Sequence, residues 1–483
     1  DQLMRIIGNN PAADNAEITA VASGTLANGN TVIVNADGTV SVIAGVAAGV
    51  GSATVFEAAT TNHIFATFDS NSNKVVIIYQ DGGNSSYGTA IVGTVSGTGI
   101  SFGSPVVFDS TAVTYTTAAF DSNSNKVVIA YRDNGNSGYG TAVVGTVSGT
   151  SISFGTAAVF ESASTSYPSP VFDSNSNKVV IAYTDSGNSS YGTAIVGTVS
   201  GTNISFGSPV IFESAQSLFA VATFDSTSNK VVIAYRDDGN SSYGTAVVGT
   251  VSGTNISFGT AVVFEAASAY RNAITFDSNS NKVVIAYAVA AATTIGTAIV
   301  GTVSGTSISF GSSVVFQNVN ASYISAIFDS SSNQVILSYR DNTVGNGTIV
   351  VGTVSGTSIS FDTPLVFNAA STFYVSSAFD SNSNKTVVSY RNSGNSHYGT
   401  GIVFQTESTT LTAENYIGIA NGAAADGGTA RVQIGSGING AQSSLTAGQQ
   451  YFVQLDGTIG LTAADPSVIA GTAISATEII VKG

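Results

Sequence analysis

Residues that could perform acid–base or nucleophilic chemistry are few in this chain of 483 residues, and most of them recur. There is no cysteine, and the only histidines, His63 and His397, lie in no recognisable catalytic motif. A glycosidase needs one acid and one base held across the bond that it cleaves. The carboxylates here repeat instead: a Phe-Asp dipeptide occurs at the same place in each of seven repeat units, and a glutamate follows Phe at Glu57, Glu161, Glu213 and Glu265. Residues that recur in every unit serve the unit, so the sequence predicts no catalytic residue and no enzymatic activity.

The pentapeptide Asp-Ser-Asn-Ser-Asn, first found at residues 69–73, resembles the start of a calcium-binding loop. Oxygen-bearing side chains occupy its first, third and fifth positions, as such a loop requires. However, Lys74 stands where the loop needs glycine, and no glutamate follows at the twelfth position. The alternative is a tight turn in which the aspartate accepts backbone hydrogen bonds. We therefore predict a structural turn, with no metal and no cofactor.

A set of mostly aromatic residues lies five positions before each Phe of the recurring Phe-Asp dipeptide. The set, called here the central circle, comprises His63, Tyr115, Tyr167, Phe219, Arg271, Tyr323 and Tyr374. If these strands are innermost in a ring of repeats, six rings and one guanidinium surround its axis. Aromatic faces suit sugar rings and arginine suits carboxylates, so the circle is a candidate ligand-binding site for a glycan. The alternative is that the rings pack between neighbouring units as core residues.

The elements that must position these residues come from an internal repeat. The Phe-Asp dipeptide recurs every 51 or 52 residues, with its Phe at Phe68, Phe120, Phe172, Phe224, Phe276, Phe328 and Phe379. Each unit holds four strand-like runs, as at residues 115–120, 126–131, 140–147 and 151–160, separated by Gly- and Asn-rich turns. Four strands in a unit of about 50 residues are typical of a β-propeller blade. The middle runs are apolar on both faces, as expected for a sheet buried between two others.

The two ends of the repeat array are complementary. The seventh unit supplies three strands and ends near Gln405, whereas a spare strand-like run, residues 52–58, precedes the first Phe-Asp. We expect this N-terminal strand to complete the last blade and close the ring. The predicted fold is all-β: a seven-bladed β-propeller at residues 49–407, closed by an N-terminal strand. Residues 1–48 and 408–483 resemble each other and are predicted to pack together as a small β-rich domain.

Composition excludes two classes of partner. The formal net charge is −15, and the 14 lysines and arginines are spread along the chain, so no basic stripe exists to bind nucleic acid. No stretch of about 18 apolar residues occurs, so we predict no membrane insertion.

One repeat departs from the others in its loop. The apolar segment AVAAATTI, residues 288–295, replaces a polar turn. It marks either a contact with a neighbouring protein or simple sequence drift.

The ends of the chain resemble a family of tail-associated virion structural proteins of marine tailed phages. The matching segments are residues 4–43 at the start, and LTAENYIGIA, GQQYFVQLDGT and VIAGTAISATEIIVKG near the end. The repeat FDSNSNKVVIAYRDxGNSxYGTAIVGTVSGTSISFG is similar to repeats of such proteins. The resemblance covers nearly the whole chain and rests on structural motifs.

This resemblance implies a non-enzymatic phage structural protein located in the virion, an extracellular particle. It implies a tail fibre or appendage component, present in multiple copies beside other virion proteins, that displays a propeller for attachment to a host-surface glycan or protein. The alternatives are a purely architectural capsid or tail decoration protein, and a secreted bacterial adhesin or surface-layer component.

Overall fold

The computed structural model describes residues 16–290, 294–318, 320–464 and 466–482. Residues 4–15 of the family resemblance and residues 291–293 of the apolar loop lie outside these ranges. The described chain divides into two compact units, one running Gly49–Gln405 and the other combining the residues before Gly49 with those after Gln405. Both consist of strands, with two short 3₁₀ turns at Asn134–Asn136 and Asp238–Asn240, so the all-β prediction is confirmed. No helix in the described part of the chain has the length and apolar character needed to cross a membrane.

The larger unit is built from antiparallel sheets whose two middle strands are almost wholly buried. The second strands are Lys74–Asp81, Lys126–Asp133, Lys178–Asp185, Lys230–Asp237, Lys282–Ala290, Gln334–Asp341 and Lys385–Asn392. The third strands are Tyr87–Ser96, Tyr139–Ser148, Tyr191–Ser200, Tyr243–Ser252, Thr294–Ser304, Gly347–Ser355 and Tyr398–Gln405. Their Val-, Ile- and Ala-rich sequences favour strands with both faces covered, and their side chains are buried in consecutive runs.

A short outer strand and the start of a long strand together cover the outer edge of each third strand. The short outer strands are Gly99–Phe102, Ser151–Phe154, Asn203–Phe206, Asn255–Phe258, Ser307–Phe310 and Ser358–Phe361. The long strands are Thr54–Asp69, Val106–Asp121, Ala158–Asp173, Val210–Asp225 and Val262–Asp277. In the last two repeats the long strand is split, into Val314–Gln317 with Ala321–Asp329, and Leu365–Asn368 with Thr372–Asp380.

Each long strand belongs to two sheets, which the sequence did not predict. Val106–Asp121 begins against the third strand of one sheet, where Val106 pairs with Ala90, and ends as the innermost strand of the next, where Asp121 pairs with Lys126. We predicted two separate strands here. The backbone stays extended while it changes partner, and shifts of pairing register at Asp109 and Ala112 absorb the crossing.

The core lies between successive sheets. Val76 and Ile78 of one sheet pack against Val127 and Ile129 of the next, and the same arrangement recurs along the array. A fully buried tyrosine on each second strand adds the largest side chain to these layers. Sheets that stack face to face in this way are typical of a β-propeller.

The recurring Asp-Ser-Asn-Ser-Asn segments are turns between the inner and second strands. In the turn after Asp121, the Oδ1 atom accepts hydrogen bonds from the backbone N–H groups of Asn123 and Ser124, at 2.9 and 3.0 Å. The equivalent aspartates Asp69, Asp173 and Asp277 make the same pair of bonds. The interpretation of this motif as a turn is therefore confirmed.

The smaller unit pairs strands from the two ends of the chain. Glu17–Val21 pairs with Thr429–Gln433, and Thr31–Val34 pairs with Tyr416–Ala420 and with Val40–Val42. A second sheet runs in the order Ile438–Asn439, Ile479–Val481, Ile469–Ala473, Gln450–Val453 and Ile459–Gly460, and Gly45–Val46 pairs with Ser408–Thr409. Side chains of both sheets, including Ile33, Ile419, Val453 and Ile479, share one core.

Candidate functional site

The seven residues of the central circle share an uncommon backbone conformation. Each has a positive φ, between 47° and 55°. The set is His63, Tyr115, Tyr167, Phe219, Arg271, Tyr323 and Tyr374, which are the residues singled out by their position before Phe-Asp. In this left-handed region Cβ crowds the backbone, so glycine and asparagine are the usual occupants and bulky residues are rare.

A β-bulge in each inner strand produces this conformation. In the second repeat, Thr114 pairs with Arg132 and Thr117 pairs with Ala130, so that Tyr115 and Thr116 together face one residue of the neighbouring strand. The same register shift occurs in the inner strand of every repeat. A bulge whose first residue is left-handed normally carries glycine there. The chain instead places six rings and a guanidinium at this position.

The bulges aim these side chains at one another. Ring centroids of consecutive members are 5.3 Å apart for His63 and Tyr115, 4.9 Å for Tyr115 and Tyr167, and 4.8 Å for Tyr167 and Phe219. Tyr323 and Tyr374 are 5.2 Å apart, and Tyr374 lies 5.3 Å from His63. The Cζ atom of Arg271 lies 5.0 Å from the centre of the Tyr323 ring. The structure therefore brings together the residues that the sequence analysis selected.

Two residues outside the selected set fill the interval between Phe219 and Arg271. Tyr270 packs edge-on against Phe219 with centroids 6.2 Å apart. The guanidinium of Arg236 lies over both rings, 5.3 Å from Phe219 and 4.7 Å from Tyr270, and pairs with Asp238 through two hydrogen bonds of 2.7 and 2.9 Å.

The circle residues are neither deep core nor free surface. The six rings are half-buried, whereas Arg271 is exposed. Tyr323 and Tyr374 also pack against the aliphatic core between sheets. These rings therefore combine packing contacts with surface that stays partly exposed.

Burial changes the acid–base behaviour of two members of the circle. Desolvation lowers the pKa of His63 to about 4, and the positive charge of Arg391 contributes in the same direction. Its imidazole is therefore neutral at neutral pH. Desolvation, reinforced by the neighbouring Tyr115, raises the pKa of Tyr167 to about 12.

The circle adjoins two cavities in the propeller unit. A channel of about 650 Å³ is lined by residues of every inner strand, beginning beside the circle with Ile64 and Ile324 and continuing to Phe68 and Phe328. A smaller pocket of about 190 Å³ lies within the circle itself, where Tyr115, Tyr167, Phe219 and Arg271 contribute to its wall.

Besides Tyr270 and Arg236, sequence reasoning missed three further residues that extend the circle. Phe373 precedes Tyr374, and the Cζ atoms of Arg340 and Arg391 lie 3.9 and 4.5 Å from the centre of its ring. Arg391 also lies 4.9 Å from the Tyr374 ring. A signal was available: both arginines directly follow the buried tyrosine of a second strand, a position that varies among repeats.

The recurring glutamates have a structural partner. The Oε2 atoms of Glu57, Glu161, Glu213 and Glu265 accept hydrogen bonds of 2.9–3.1 Å from the buried hydroxyls of Tyr79, Tyr183, Tyr235 and Tyr287. Asp109 serves Tyr131 in the same way. Burial raises the pKa of Glu57, Glu161 and Glu213. These carboxylates satisfy the tyrosine hydroxyls that lie between sheets.

Comparison with known proteins supports the fold. No protein-family model and no curated protein matches the sequence. Among solved structures, the BP39L lectin from Burkholderia pseudomallei is similar, with a TM-score of 0.53, 10% identity, and coverage of 75% of this chain and 98% of the lectin. At this identity the similarity shows a shared fold.

Two further structures are similar over comparable lengths. AofleA from Arthrobotrys oligospora has 9% identity and a TM-score of 0.41, covering 72% of this chain and 98% of its own. The β-propeller domain of Cps50 (Swd1) from Myceliophteria thermophila has 6% identity and a TM-score of 0.46, covering 73% and 99%.

Proposed function

We propose that this chain is a non-enzymatic carbohydrate-binding protein whose site is the central circle. One observation carries the proposal: every inner strand holds a bulky residue in a left-handed conformation at the same place. Such a conformation costs roughly 1–2 kcal/mol relative to one that suits a side chain. Strain of this kind concentrates at sites where a ligand is held. Glycine could form each bulge without backbone strain. The strain is therefore present only because each bulge carries a large side chain.

The chemistry of the displayed groups favours a sugar. Half-buried rings offer apolar faces and edges, and the tyrosine hydroxyls add hydrogen-bonding groups at the rim. The adjoining pocket contains Arg271 beside three rings, a mixture of apolar wall and few polar groups that is typical of small-ligand sites. A lectin shares the fold of this chain.

The proposed architecture that supports the site is a seven-bladed propeller closed by the N-terminal strand. Three observations support closure. Val50 and Val55 pair with Phe404 and Thr400 of the last third strand. The backbone N–H of Ala66 donates a 3.0 Å hydrogen bond to Ser376 Oγ. The ring of His63 contacts both Tyr115 and Tyr374.

A binding role without catalysis is consistent with the side chains near the circle. His63, the only histidine in it, stands among rings and beside arginine rather than next to a carboxylate that would orient it as a base. The repeated glutamates are each engaged by a tyrosine hydroxyl.

The proposal is tested with a glycan array probed by the full chain and by the triple variant Y115N/Y323N/Y374N. Asparagine tolerates a positive φ, so the bulges are kept while three stacking surfaces are removed. Each stack contributes roughly 0.5–1.5 kcal/mol, so affinity should fall by about one to three decades. Thermal melts on the same samples separate loss of binding from loss of folding.

The matched control changes three repeated apolar residues outside the circle. Val107, Val315 and Val366 are exposed residues on the outer edge of their sheets, and V107N/V315N/V366N should bind as the unchanged chain does. The proposal is wrong if the chain captures no glycan, or if the folded triple tyrosine variant keeps full affinity.

We further propose that the protein works as a component of a phage virion, in a tail fibre or appendage that attaches to the host surface. The resemblance of residues 4–43, the C-terminal segments and the repeats to tail-associated virion proteins supports this setting. Multiple copies beside other virion proteins would raise a weak glycan affinity by multivalency.

Virion location is tested by density-gradient purification of particles followed by detection of this chain. Co-sedimentation with DNA-filled capsids is expected, together with inhibition of host adsorption by antibody against the propeller unit. Co-sedimentation without inhibition would indicate an architectural decoration protein. Recovery from bacterial culture without particles would indicate an adhesin or surface-layer component and overturn the proposal.

A further inference from the structure

Three arginines lie close together on one side of the central circle. Arg271 is a member of the circle, and Arg340 and Arg391 stand behind Tyr323 and Tyr374. We name these three residues the arginine arc. Their guanidinium groups surround a patch of three rings, formed by Tyr323, Phe373 and Tyr374.

The contacts within the arc fix the arginines against aromatic faces. Phe373 lies between the guanidinium groups of Arg340 and Arg391, with its ring centre 3.9 and 4.5 Å from their Cζ atoms. Arg391 reaches Tyr374 and donates a hydrogen bond through Nη1 to Asn62 Oδ1. Stacking immobilises each planar fork while leaving its edge N–H groups available to an acceptor.

The arc lacks acidic partners. Among the described residues, ion pairs within 4 Å are formed by Arg236 with Asp238 and by Arg431 with Glu17, and the arc takes part in neither. The Nε atoms of Arg340 and Arg391 are buried without a hydrogen-bond partner in the described structure, as is the Nε atom of Arg132 outside the arc. Burial lowers the pKa of Arg340, and the charges of Arg271 and Arg391 lower it further, so the three cations act on one another. A bound anion would relieve this repulsion.

Near the arginine arc, neutral residues replace several of the acidic residues that recur in the other repeats. Six residues before each circle member the chain has Glu57, Asp109, Glu161, Glu213 and Glu265, but Gln317 and Asn368 before Tyr323 and Tyr374. A second position lies two residues after the buried tyrosine of each second strand. In chain order it holds Asp81, Asp133, Asp185, Asp237, Val289, Asp341 and Asn392. Four neutral residues therefore replace carboxylates on the side of the circle that holds the unpaired arginines. In a chain of net charge −15, this leaves a local cationic site.

We infer that the arginine arc binds the anionic oxyacid group of an acidic saccharide whose sugar ring lies against the circle. The inference rests on the proposed glycan-binding function and specifies its ligand class. Arg271 connects the arginine arc with the smaller pocket. It contacts Tyr323 in the aromatic patch beside the arc, and it lines the pocket formed by Tyr115, Tyr167 and Phe219. A guanidinium fork matches a carboxylate in two parallel hydrogen bonds, and a sulfate ester offers the same acceptor oxygens.

The test uses pairs of polysaccharides that differ only in charge. Polygalacturonate is compared with its methyl ester, and a sulfated galactan with its desulfated form, each titrated against the full chain. We expect at least one acidic member to bind about tenfold or more tightly than its neutral partner, with an affinity that falls as salt rises. The carboxylated and sulfated pairs separate the two sources of negative charge.

Variants of the arginines test whether the arc causes the preference for the acidic polysaccharide. R340Q/R391Q should lose the preference for the acidic member. Because these arginines stack on Phe373, the exposed Arg271 supplies a second variant, R271Q, that leaves that stack intact and should lower acidic affinity severalfold. R132Q is the matched control: Arg132 has the same place in its repeat, but that repeat keeps carboxylates at both of these positions, Asp109 and Asp133, so this variant should keep the full preference.

Each outcome decides the inference. Equal binding of acidic and neutral members, or an acidic preference that survives in folded R340Q/R391Q and R271Q, overturns the arginine arc as an anion site. If neutral glycans bind in a manner that depends on Tyr115, Tyr323 and Tyr374, the proposed function stands and the acidic-ligand inference fails. If no member of any pair or of the array binds, both fail.

Discussion

At the scale of single residues, backbone conformation distinguishes the candidate site more clearly than side-chain type. Tyrosine and phenylalanine are frequent throughout this chain, yet among the residues that the structure describes only the circle members combine a large side chain in an inner strand with a positive φ. In most strands, replacing alanine by glycine is destabilising because glycine has more backbone freedom to lose. At a left-handed position glycine is instead more stable than alanine, because any residue with a Cβ atom strains the backbone there.

The first prediction concerns this reversal at Tyr115, whose φ is 54°. Y115G should be more stable than Y115A by about 1 kcal/mol, because glycine accepts the left-handed conformation and alanine does not. Ala119 lies in the same inner strand without a positive φ, so A119G should instead destabilise by about 0.5–1 kcal/mol. Denaturant unfolding of the three variants measures the comparison. An alanine variant as stable as the glycine variant would show that the bulge carries no strain.

The second prediction concerns pH and His63. Its pKa in the folded chain, about 4, lies below the ordinary histidine value of 6.5, so the unfolded chain binds more protons between these values. Stability contributed by the neutral imidazole is therefore present above pH 6.5 and lost as the pH falls towards 4. H63Y, which installs the residue found at four other circle positions, should gain stability relative to the unchanged chain by on the order of 2 kcal/mol across this window.

The measurement is the difference in unfolding free energy between H63Y and the unchanged chain from pH 8 to pH 4. Taking a difference cancels the carboxylates common to both chains. The difference should be constant above pH 7 and change below it; a difference that stays constant down to pH 4 would contradict the assigned pKa.

At the scale of elements, one repeated contact fixes the outer edge of each sheet. A glycine near the start of each third strand lies beneath a phenylalanine of the long strand, so that the ring can cover the backbone. At Gly192, a Cβ atom would lie 2.4 Å from Cε2 of Phe212, which is far inside normal contact. Phe212 in turn packs against the buried Tyr235, with ring centroids 5.1 Å apart. The glycine is required here by close approach.

The third prediction follows from this contact. G192A should destabilise by roughly 1–3 kcal/mol, because the ring of Phe212 must move out of a packed layer. F212L makes room at the clash, so G192A should cost less in the F212L background than in the unchanged chain. A double-mutant cycle by thermal or denaturant unfolding measures the coupling. Strict additivity of the two changes would show that Phe212 does not contact this glycine.

At the scale of the whole molecule, charge is divided between the two ends of the propeller unit. Six lysines begin the second strands beside the Asp-Ser-Asn-Ser-Asn turns, at Lys74, Lys126, Lys178, Lys230, Lys282 and Lys385. The opposite ends of these strands carry Arg132, Arg236, Arg340 and Arg391, next to the circle. The lysines lie beside the turns, as suits a strongly hydrated ammonium group. Arginine has a planar, weakly hydrated guanidinium group, which stacks on aromatic rings.

The fourth prediction concerns closure of the array. Residues 49–405 form one compact unit, and we expect them to fold as an independent protein with a cooperative melt. Removing ten further residues, to give 59–405, deletes the partners of Gly399, Thr400, Gly401, Phe404 and Gln405. Thr60 stays as the partner of Tyr398, and the rest of that strand edge is left open. The shorter protein should aggregate or lose cooperativity. Size-exclusion chromatography and calorimetry of the two proteins make the comparison, and a soluble, cooperatively melting 59–405 would contradict the role of this strand.

Much of the fold was readable from the sequence because the repeat displays it seven times. The period, the turn residues and the runs that are apolar on both faces indicate short strands in buried sheets before any coordinates are known. The turn chemistry of Asp121 followed from residue type, since an aspartate at the start of a turn has few other uses. The continuity of Val106–Asp121 was missed, because sequence patterns mark where strands lie but not where one strand changes its partner.

The sequence by itself determined which residues occupy equivalent places: a constant offset from Phe-Asp selected the seven members of the circle. Only the tertiary structure decided that these places are left-handed bulges, because φ follows from the pairing register of two strands distant in sequence. It also decided that Arg340 and Arg391 join the circle beside Phe373. Arg391 is paired with Phe373 within one sheet, whereas Arg340 reaches the same ring from the neighbouring sheet. These contacts therefore depend on strand pairing and on the packing of sheets rather than on spacing along the chain. The period of the sequence identifies the residues that repeat. The arginine arc consists of residues that differ between repeats, and only the packing of neighbouring units brings those residues together.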